Sequence, residues 1–123
     1  MLIVYASKTG NVKRFVVKTG LNARFIEDGD IVSEPFVLIT YTAGFGSVPP
    51  EVDKFLEKNQ SNLVAVTSSG NRNWGSELFA RSGDIVSQKY NVPLISKFEM
   101  SGTKGDVDLF VERVSEISEK SIK

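Results

Sequence analysis

Residues 2–20, LIVYASKTGNVKRFVVKTG, combine the pattern of a buried strand, a tight loop and an amphipathic helix in one short segment. The apolar run LIVYA at 2–6 is typical of a strand that is covered on both faces, as in a parallel sheet. After the loop, apolar residues recur at helical spacing at Val12, Phe15 and Val16, and Gly20 stands where such a helix would end. The segment therefore predicts a β-strand followed by an α-helix.

The same pattern recurs three more times along the chain. The apolar runs that predict further strands are FVLITY (36–41), NLVAVT (62–67) and VPLISKF (92–98). Helical periodicity follows each of them, over about 51–58, over 76–89, and in a last segment that we expect Asp106 to cap. Strands that alternate with helices predict βαβ units, a parallel sheet and a single α/β domain over residues 1–123.

One connection is too short for this pattern. ARFI (23–26) predicts another strand, but only residues 27–35 separate it from the strand at 36–41. An extended chain of that length can still pass one neighbouring strand and return along the sheet. We therefore expect this crossover to lack a helix.

The composition excludes several classes of function. Fifteen Lys and Arg residues balance 15 Asp and Glu residues, so the chain lacks the basic character of nucleic-acid-binding or membrane-surface proteins. It contains no Cys and no His, which excludes disulfides, thiol redox chemistry, a Ser-His-Asp triad and the usual transition-metal ligands. Redox chemistry would need an organic cofactor. We expect a cytoplasmic protein with no metal site, no nucleic-acid partner and no membrane partner.

Three loops follow predicted strands and share an unusual composition. SKTGN (7–11), TAGFGSVPP (42–50) and SSGNRNWG (68–75) are rich in small, hydroxyl and amide residues and contain no carboxylate. In open α/β sheets, ligands bind outside the carboxyl ends of the strands, where such loops lie. The three loops are therefore the candidate ligand site.

The first loop suits a phosphate monoester. Ser7 and Thr9 supply hydroxyl donors, Gly10 allows close approach of the backbone, and the following N–H groups open a helix at its positive end. The alternative is an ordinary turn in which Thr9 or Asn11 only caps the helix. Lys8 either adds a charge to the phosphate or is a solvated surface lysine.

The other two loops each carry an aromatic residue between glycines. Phe45 lies within the sequence GFG at 44–46, and Trp74, the only Trp of the chain, lies in a glycine-flanked loop. A large aromatic side chain at such a place can cover a flat ligand, with Asn71 and Asn73 at the ligand's polar edge. The alternatives are that Phe45 packs inward and that Trp74 folds back onto the predicted helix 76–89.

The segments SKTGN (7–11), TYTAGFGSVPP (40–50) and SSGNRNWGSELFA (68–80) resemble the NrdI family, and the resemblance spans nearly the whole chain. NrdI proteins are small flavodoxin-like FMN proteins associated with class Ib ribonucleotide reductase. The resemblance implies a flavodoxin-like three-layer sandwich, with a five-stranded parallel sheet of order 2-1-3-4-5 and helices on both faces. It also implies FMN as the cofactor.

The resemblance also implies which residues hold FMN. The phosphate would be held by Ser7, Lys8, Thr9, Gly10, Asn11 and Val12. One side and edge of the isoalloxazine ring would be lined by Thr42, Ala43, Gly44, Phe45 and Gly46. The other side would be lined by Ser69, Gly70, Asn71, Asn73 and Trp74. The Gly44–Phe45 peptide would flip at flavin N5 when the flavin is reduced, and we expect Gly44 to permit this turn because glycine adopts positive φ.

By the same resemblance, the protein would reduce dioxygen at its flavin. The product, superoxide or peroxide, would serve assembly of the dimanganese–tyrosyl radical cofactor in the small subunit of class Ib ribonucleotide reductase. An unidentified electron donor would reduce the flavin, and the protein would be an accessory to the reductase rather than a stand-alone enzyme. The alternative is a general small flavodoxin that carries single electrons to another acceptor. Because the three loops lack carboxylates and contain Arg72, we expect the second electron to be added comparatively easily.

A phosphotransfer receiver domain has the same strand order but different chemistry. It needs an Asp at the end of its third strand, where this chain has Thr40 to Thr42. The sequence excludes that function.

Overall fold

The computed structural model describes residues 1–27 and 29–122 and contains one five-stranded parallel sheet. The strands are β1 (Leu2–Tyr5), β2 (Ala23–Phe25), β3 (Phe36–Thr40), β4 (Leu63–Gly70) and β5 (Leu94–Glu99). Their spatial order is β2-β1-β3-β4-β5, and all neighbouring pairs are parallel. The sheet order implied by the family resemblance is confirmed.

Helices cover both faces of this sheet. They are α1 (Asn11–Thr19), α2 (Pro50–Asn59), α3 (Arg81–Tyr90) and α4 (Lys104–Ile122). Because successive strand residues point to opposite faces, the strands contribute side chains to two separate hydrophobic cores, one on each face of the sheet. The core beneath α2 and α3 includes Val4, Leu38, Val52, Phe55 and Val86. The core beneath α1 and α4 includes Ile3, Val12, Val37, Phe110 and Val114.

The connection from β2 to β3 packs on the sheet without a helix in its described residues. The four helices follow β1, β3, β4 and β5, whereas the described residues of this connection, 26–27 and 29–35, form no helix. Ile26 and Val32 instead bury their side chains in the core beneath α2 and α3. The fully buried side chain of Asn59 binds this segment, because its Oδ1 accepts the Val32 N–H at 2.7 Å and its Nδ2 donates to the Asp30 carbonyl at 2.9 Å.

The junction between β4 and α3 differs from the sequence prediction. β4 continues to Gly70, and α3 begins at Arg81 rather than at 76. Residues 76–80 form turns, and Ala80 has a left-handed backbone with φ 49° that separates them from the helix. The cause is tertiary, since Ser68 Oγ donates to the Ala80 carbonyl at 2.7 Å and Gly70 packs directly against the Ala80 backbone.

The predicted cap of the last helix is also different in detail. α4 begins at Lys104, and Thr103 precedes it as the capping residue. The Asp106 N–H donates to Thr103 Oγ1 at 3.2 Å, and the Thr103 N–H donates to Asp106 Oδ2 at 2.8 Å. This reciprocal pair is a capping box, so Asp106 supports the cap from inside the first turn.

Candidate functional site

The three loops predicted from the sequence meet at the carboxyl ends of β1, β3 and β4 and line a cleft of about 770 Å³. The predicted residues that line it are Ser7, Lys8, Thr9, Asn11, Val12, Thr42, Ala43, Gly44, Gly46, Ser69, Gly70, Asn71 and Trp74. Gly10, Phe45 and Asn73 are not among the lining residues. The cleft has the size of a small-molecule or cofactor site.

At one end of the cleft, the first turn of α1 is open to a ligand. Gly10 occupies the capping position with φ 89°, and no side chain caps the helix from there. The Thr9 side chain is exposed and has no hydrogen-bond partner among the described residues, so Thr9 does not cap the helix either. Ser7 Oγ accepts one N–H of this turn, from Lys13, at the long distance of 3.4 Å. The turn can therefore offer N–H groups and a hydroxyl to an anion.

The loop after β3 folds back on itself through backbone hydrogen bonds. The Ala43 N–H donates to the Ser47 carbonyl at 2.8 Å, and Ser47 Oγ donates to the Gly44 carbonyl at 2.9 Å. Between them, Phe45 has φ 58° and ψ 30°, whereas the φ of Gly44 lies outside the left-handed region. In this conformation the strained residue of the turn is therefore Phe45, and the role of Gly44 in turning the peptide stays a prediction.

Two exposed aromatic rings lie at the rim of the cleft, where Trp74 lines it and Phe45, which is not among the lining residues, contacts Trp74 from outside. Phe45 is 78% exposed and Trp74 is 55% exposed, and their rings meet edge to face with centroids 5.9 Å apart. Because most of its ring is exposed, Phe45 does not pack inward, and Trp74 contacts Phe45 and is not buried in a core. The rim leaves large apolar surfaces at the mouth of the cleft.

The loop after β4 is held by contacts with β5. The carboxylate of Glu99 accepts the Arg72 N–H at 2.9 Å and Arg72 Nη1 at 3.1 Å, and the guanidinium lies 4.5 Å from the centre of the Phe79 ring. The Asn73 N–H donates to Asn71 Oδ1 at 2.8 Å. The Asn71–Asn73 bond is local to the loop, whereas Arg72 ties the loop to β5 and holds the pKa of Glu99 below its usual value, first through its backbone N–H.

A hydroxyl cluster joins the ends of β3 and β4 behind the cleft. Thr42 Oγ1 donates to the Ser69 carbonyl at 2.8 Å and lies 2.8 Å from the buried hydroxyl of Ser82. Ser82 Oγ in turn donates to the Tyr41 carbonyl at 3.0 Å. Thr42 therefore uses its hydroxyl to fix the cleft wall, and Ser82 is a supporting residue that the loop motifs did not indicate.

Pro50, at the end of the predicted loop 42–50, also lines the cleft, and so do four residues outside the three loops: Tyr41, Glu51, Leu78 and Met100. Tyr41 donates its hydroxyl to Glu51 Oε2 at 2.5 Å, and burial together with this carboxylate raises the pKa of Tyr41 above its usual value. Glu51 gives the cleft a carboxylate that the three loops lack, and Arg72 is paired with Glu99. The expectation of an easily added second electron therefore no longer follows.

Comparison with known proteins identifies the family. The family model described as NrdI flavodoxin-like matches residues 3–112. The chain belongs to the NrdI family. Among similar NrdI proteins, that of Macrococcus caseolyticus is 49% identical over 120 residues, covering 97% of this chain and 92% of that protein. The NrdI protein of Bacillus licheniformis is 52% identical over 120 residues, covering 97% of this chain and 91% of that protein.

Two flavodoxins of known structure have the same fold as this chain. Oxidised flavodoxin 2 from Bacillus cereus superposes with a TM-score of 0.69 at 22% identity, covering 97% of both chains. A short-chain flavodoxin associated with a non-canonical PDU bacterial microcompartment superposes with a TM-score of 0.66 at 20% identity, covering 90% of both chains. These similarities confirm the flavodoxin-like fold.

The cofactor of this NrdI family protein is FMN, and the cleft fits it. The open turn of α1 at one end suits a phosphate, and the aromatic rim formed by Phe45 and Trp74 suits a flat ring system.

Within residues 1–27 and 29–122, no helix has the length and apolar character needed to cross a membrane.

Proposed function

We propose that this protein is a redox accessory of class Ib ribonucleotide reductase. With FMN bound, it would reduce dioxygen and supply superoxide or peroxide to the small subunit, where a dimanganese–tyrosyl radical cofactor is assembled. A cytoplasmic electron donor, not yet identified, would reduce the flavin. The observation that carries this proposal is the match of residues 3–112 to the NrdI family model. The cleft supports it, because its aromatic rim is exposed to solvent and accessible to a small oxidant or a partner.

FMN supplies the one-electron chemistry, and we assign the protein three tasks. The α1 turn with Ser7, Thr9 and Asn11 binds the phosphate. The loop at 42–46 and the loop at 69–74 flank the isoalloxazine ring from two sides. The hydroxyl cluster around Thr42 and the Arg72–Glu99 pair keep these two loops in place.

We further propose that the Gly44–Phe45 peptide responds to reduction. Ser47 Oγ binds the Gly44 carbonyl, and since the C=O and N–H of a peptide point in opposite directions, the Phe45 N–H points away from Ser47. Oxidised N5 accepts a hydrogen bond and reduced N5 carries a proton, so this orientation suits the oxidised cofactor. Turning the peptide would present the carbonyl instead, break the bond from Ser47, and release the positive φ of Phe45.

The first prediction concerns the bond from Ser47. Ser47→Ala removes a hydrogen bond that favours the oxidised-state peptide, at a cost of about 0.5–1.5 kcal/mol. Destabilising the oxidised form makes reduction easier, so the potential of the first electron should rise by about 20–65 mV, since a tenfold change corresponds to about 59 mV. A spectroelectrochemical titration measures this shift. Ser47→Thr keeps a hydroxyl and should titrate like the wild type, whereas an unchanged potential in Ser47→Ala would exclude the role of Ser47.

The second prediction concerns backbone strain at Phe45. A left-handed backbone costs a residue with a Cβ about 1–2 kcal/mol, which glycine avoids. Phe45→Gly should therefore stabilise the oxidised-state peptide and lower the potential of the first electron by about 40–90 mV relative to Phe45→Ala. The alanine variant is the matched control because it also lacks the ring but retains the strain. Equal potentials in the two variants would show that the peptide does not turn at this residue.

The function itself can be tested with purified components. The FMN-loaded protein is reduced with dithionite, mixed with manganese-loaded small subunit, and exposed to oxygen, and the tyrosyl radical is measured by electron paramagnetic resonance. Radical formation that depends on this protein, and that free reduced FMN does not support, is the expected result. Reduction of an unrelated acceptor without radical formation would instead favour a general one-electron carrier.

A further inference from the structure

Three side chains form a closed set of hydrogen bonds beside the first turn of α1. Arg14 Nη2 donates to Asn11 Oδ1 at 2.6 Å, and Arg14 Nε donates to Ser101 Oγ at 3.1 Å. Ser101 Oγ donates to the same Asn11 Oδ1 at 2.8 Å. We call Asn11, Arg14 and Ser101 the amide triangle. Ser101 comes from the segment between β5 and α4, which is distant from the three cleft loops in sequence.

The triangle fixes the orientation of the Asn11 amide. A guanidinium can only donate hydrogen bonds, so the Asn11 atom that faces Arg14 must be the oxygen. Ser101 accepts from Arg14 and therefore directs its single hydroxyl proton to the same oxygen. With two donors on Oδ1, the Nδ2 group points the other way, and it has no hydrogen-bond partner among the described residues. Asn11 itself lines the cleft.

The triangle also places a positive charge against the α1 turn. A Cβ at Gly10 would lie 3.0 Å from Arg14 Nη1, so the guanidinium is in contact with the turn that we assign to the phosphate. Lys18 supports the same segment from further along α1, because its Nζ donates to the carbonyls of Ser101 and Gly102 at 3.3 Å each. In the part of the chain that the structure describes, Lys18 forms no hydrogen bond with the Asn11 amide, which makes it a useful control.

We propose that Arg14 and Ser101 are positioning residues that aim the Asn11 Nδ2 donor at the phosphate of FMN and thereby favour FMN over riboflavin. The inference rests on the proposed phosphate site. Two donors on one amide oxygen prevent the amide from turning its acceptor, which would repel a phosphate, toward the cleft. The specificity for the phosphorylated flavin thus depends partly on a segment that carries no residue of the three loops.

The test compares FMN with riboflavin, which lacks the phosphate. In the full chain, Ser101→Ala and Arg14→Gln should each lower the affinity for FMN about three- to tenfold and leave the affinity for riboflavin within about twofold. Flavin fluorescence gives both dissociation constants, and the ³¹P resonance of bound FMN should shift in the variants. Ser101→Thr keeps the hydroxyl and should bind both flavins as the wild type does. Lys18→Met should not change the ratio of the two affinities.

Three outcomes overturn the inference. Equal loss of both flavins in Ser101→Ala and Arg14→Gln would mean that the segment only supports the fold, and no loss of either would mean that the amide needs no support. If Lys18→Met lost FMN selectivity and the triangle variants kept it, the selectivity would depend on the backbone carbonyls of Ser101 and Gly102 and not on the Asn11 amide. Thr9→Val tests the proposed phosphate site independently of the triangle. If Thr9→Val reduces FMN selectivity and the triangle variants do not, the phosphate site stands and only the role of the triangle is excluded.

Discussion

Replacing Thr9 with valine is expected to weaken FMN binding about ten- to a hundredfold, because a lost hydrogen bond to a charged group costs about 1.5–3 kcal/mol. Thr9 lines the cleft, and its hydroxyl has no partner among the described residues, so the hydroxyl is free for a ligand. Valine has nearly the same shape as threonine, and the site is exposed, so the fold should be unaffected. Titration of the flavin-free protein with FMN measures the effect.

Riboflavin and a conservative variant serve as controls for this prediction. Riboflavin should bind Thr9→Val as it binds the wild type, because it has no phosphate to lose contact with. Thr9→Ser keeps the hydroxyl and should bind FMN nearly normally. If Thr9→Val binds FMN as tightly as the wild type does, the phosphate lies elsewhere.

Replacing Gly70 with alanine is expected to destabilise the protein by about 1–3 kcal/mol, since an added methyl group in a packed site forces the backbone to move. A Cβ at Gly70 would lie 2.5 Å from the Ala80 nitrogen and 2.9 Å from its Cα, and neither backbone atom can rotate away. The displacement would also move the loop that carries Trp74, so FMN affinity should fall with stability. Urea unfolding of the flavin-free protein measures the first effect.

Gly105→Ala is the matched control for this packing argument. Gly105 lies in α4, and the nearest atom to an added Cβ, Thr103 Oγ1, is 3.7 Å away, an ordinary contact. Alanine in a helix is favoured over glycine, so this variant should be more stable by about 0.5–1 kcal/mol. Opposite signs in the two variants would support the close contact between β4 and the α3 junction, whereas a stable Gly70→Ala would contradict it.

Much of the fold could be predicted because its signals are local. Continuous apolar runs mark the buried strands, and Gly20 ends α1 in a left-handed conformation with φ 67°, as its position indicates. The start of α3 could not be predicted in this way. Leu78 and Phe79 have helical spacing with the residues that follow, but Ala80 leaves the helical region because of contacts with Ser68 and Gly70. Alanine carries no sequence signal for such a conformation.

The site was predictable to the extent that its residues lie in the loops after β1, β3 and β4. Glu51 lies within α2, and Met100 follows β5, which carries none of the three loops. Their presence in the cleft therefore depends on the three-dimensional arrangement. Ser82 and Ser101 act through hydrogen bonds to residues far away in sequence, and no spacing rule indicates such pairs. The positive φ of Phe45 could not be predicted, because a sequence argument places left-handed backbone at glycines and not at an aromatic residue.

The short route from β2 to β3 has a consequence for how the protein opens locally. A helix satisfies its own backbone, whereas this segment depends on the Asn59 amide for the Val32 N–H and the Asp30 carbonyl, and on Asn62 Nδ2 for the Val32 carbonyl. Asn59 is the last residue of α2, and its Nδ2 also binds the Phe55 carbonyl. The segment and the end of α2 should therefore separate from the rest of the molecule as one cooperative unit, because neither can lose its structure without exposing the other's unpaired amides.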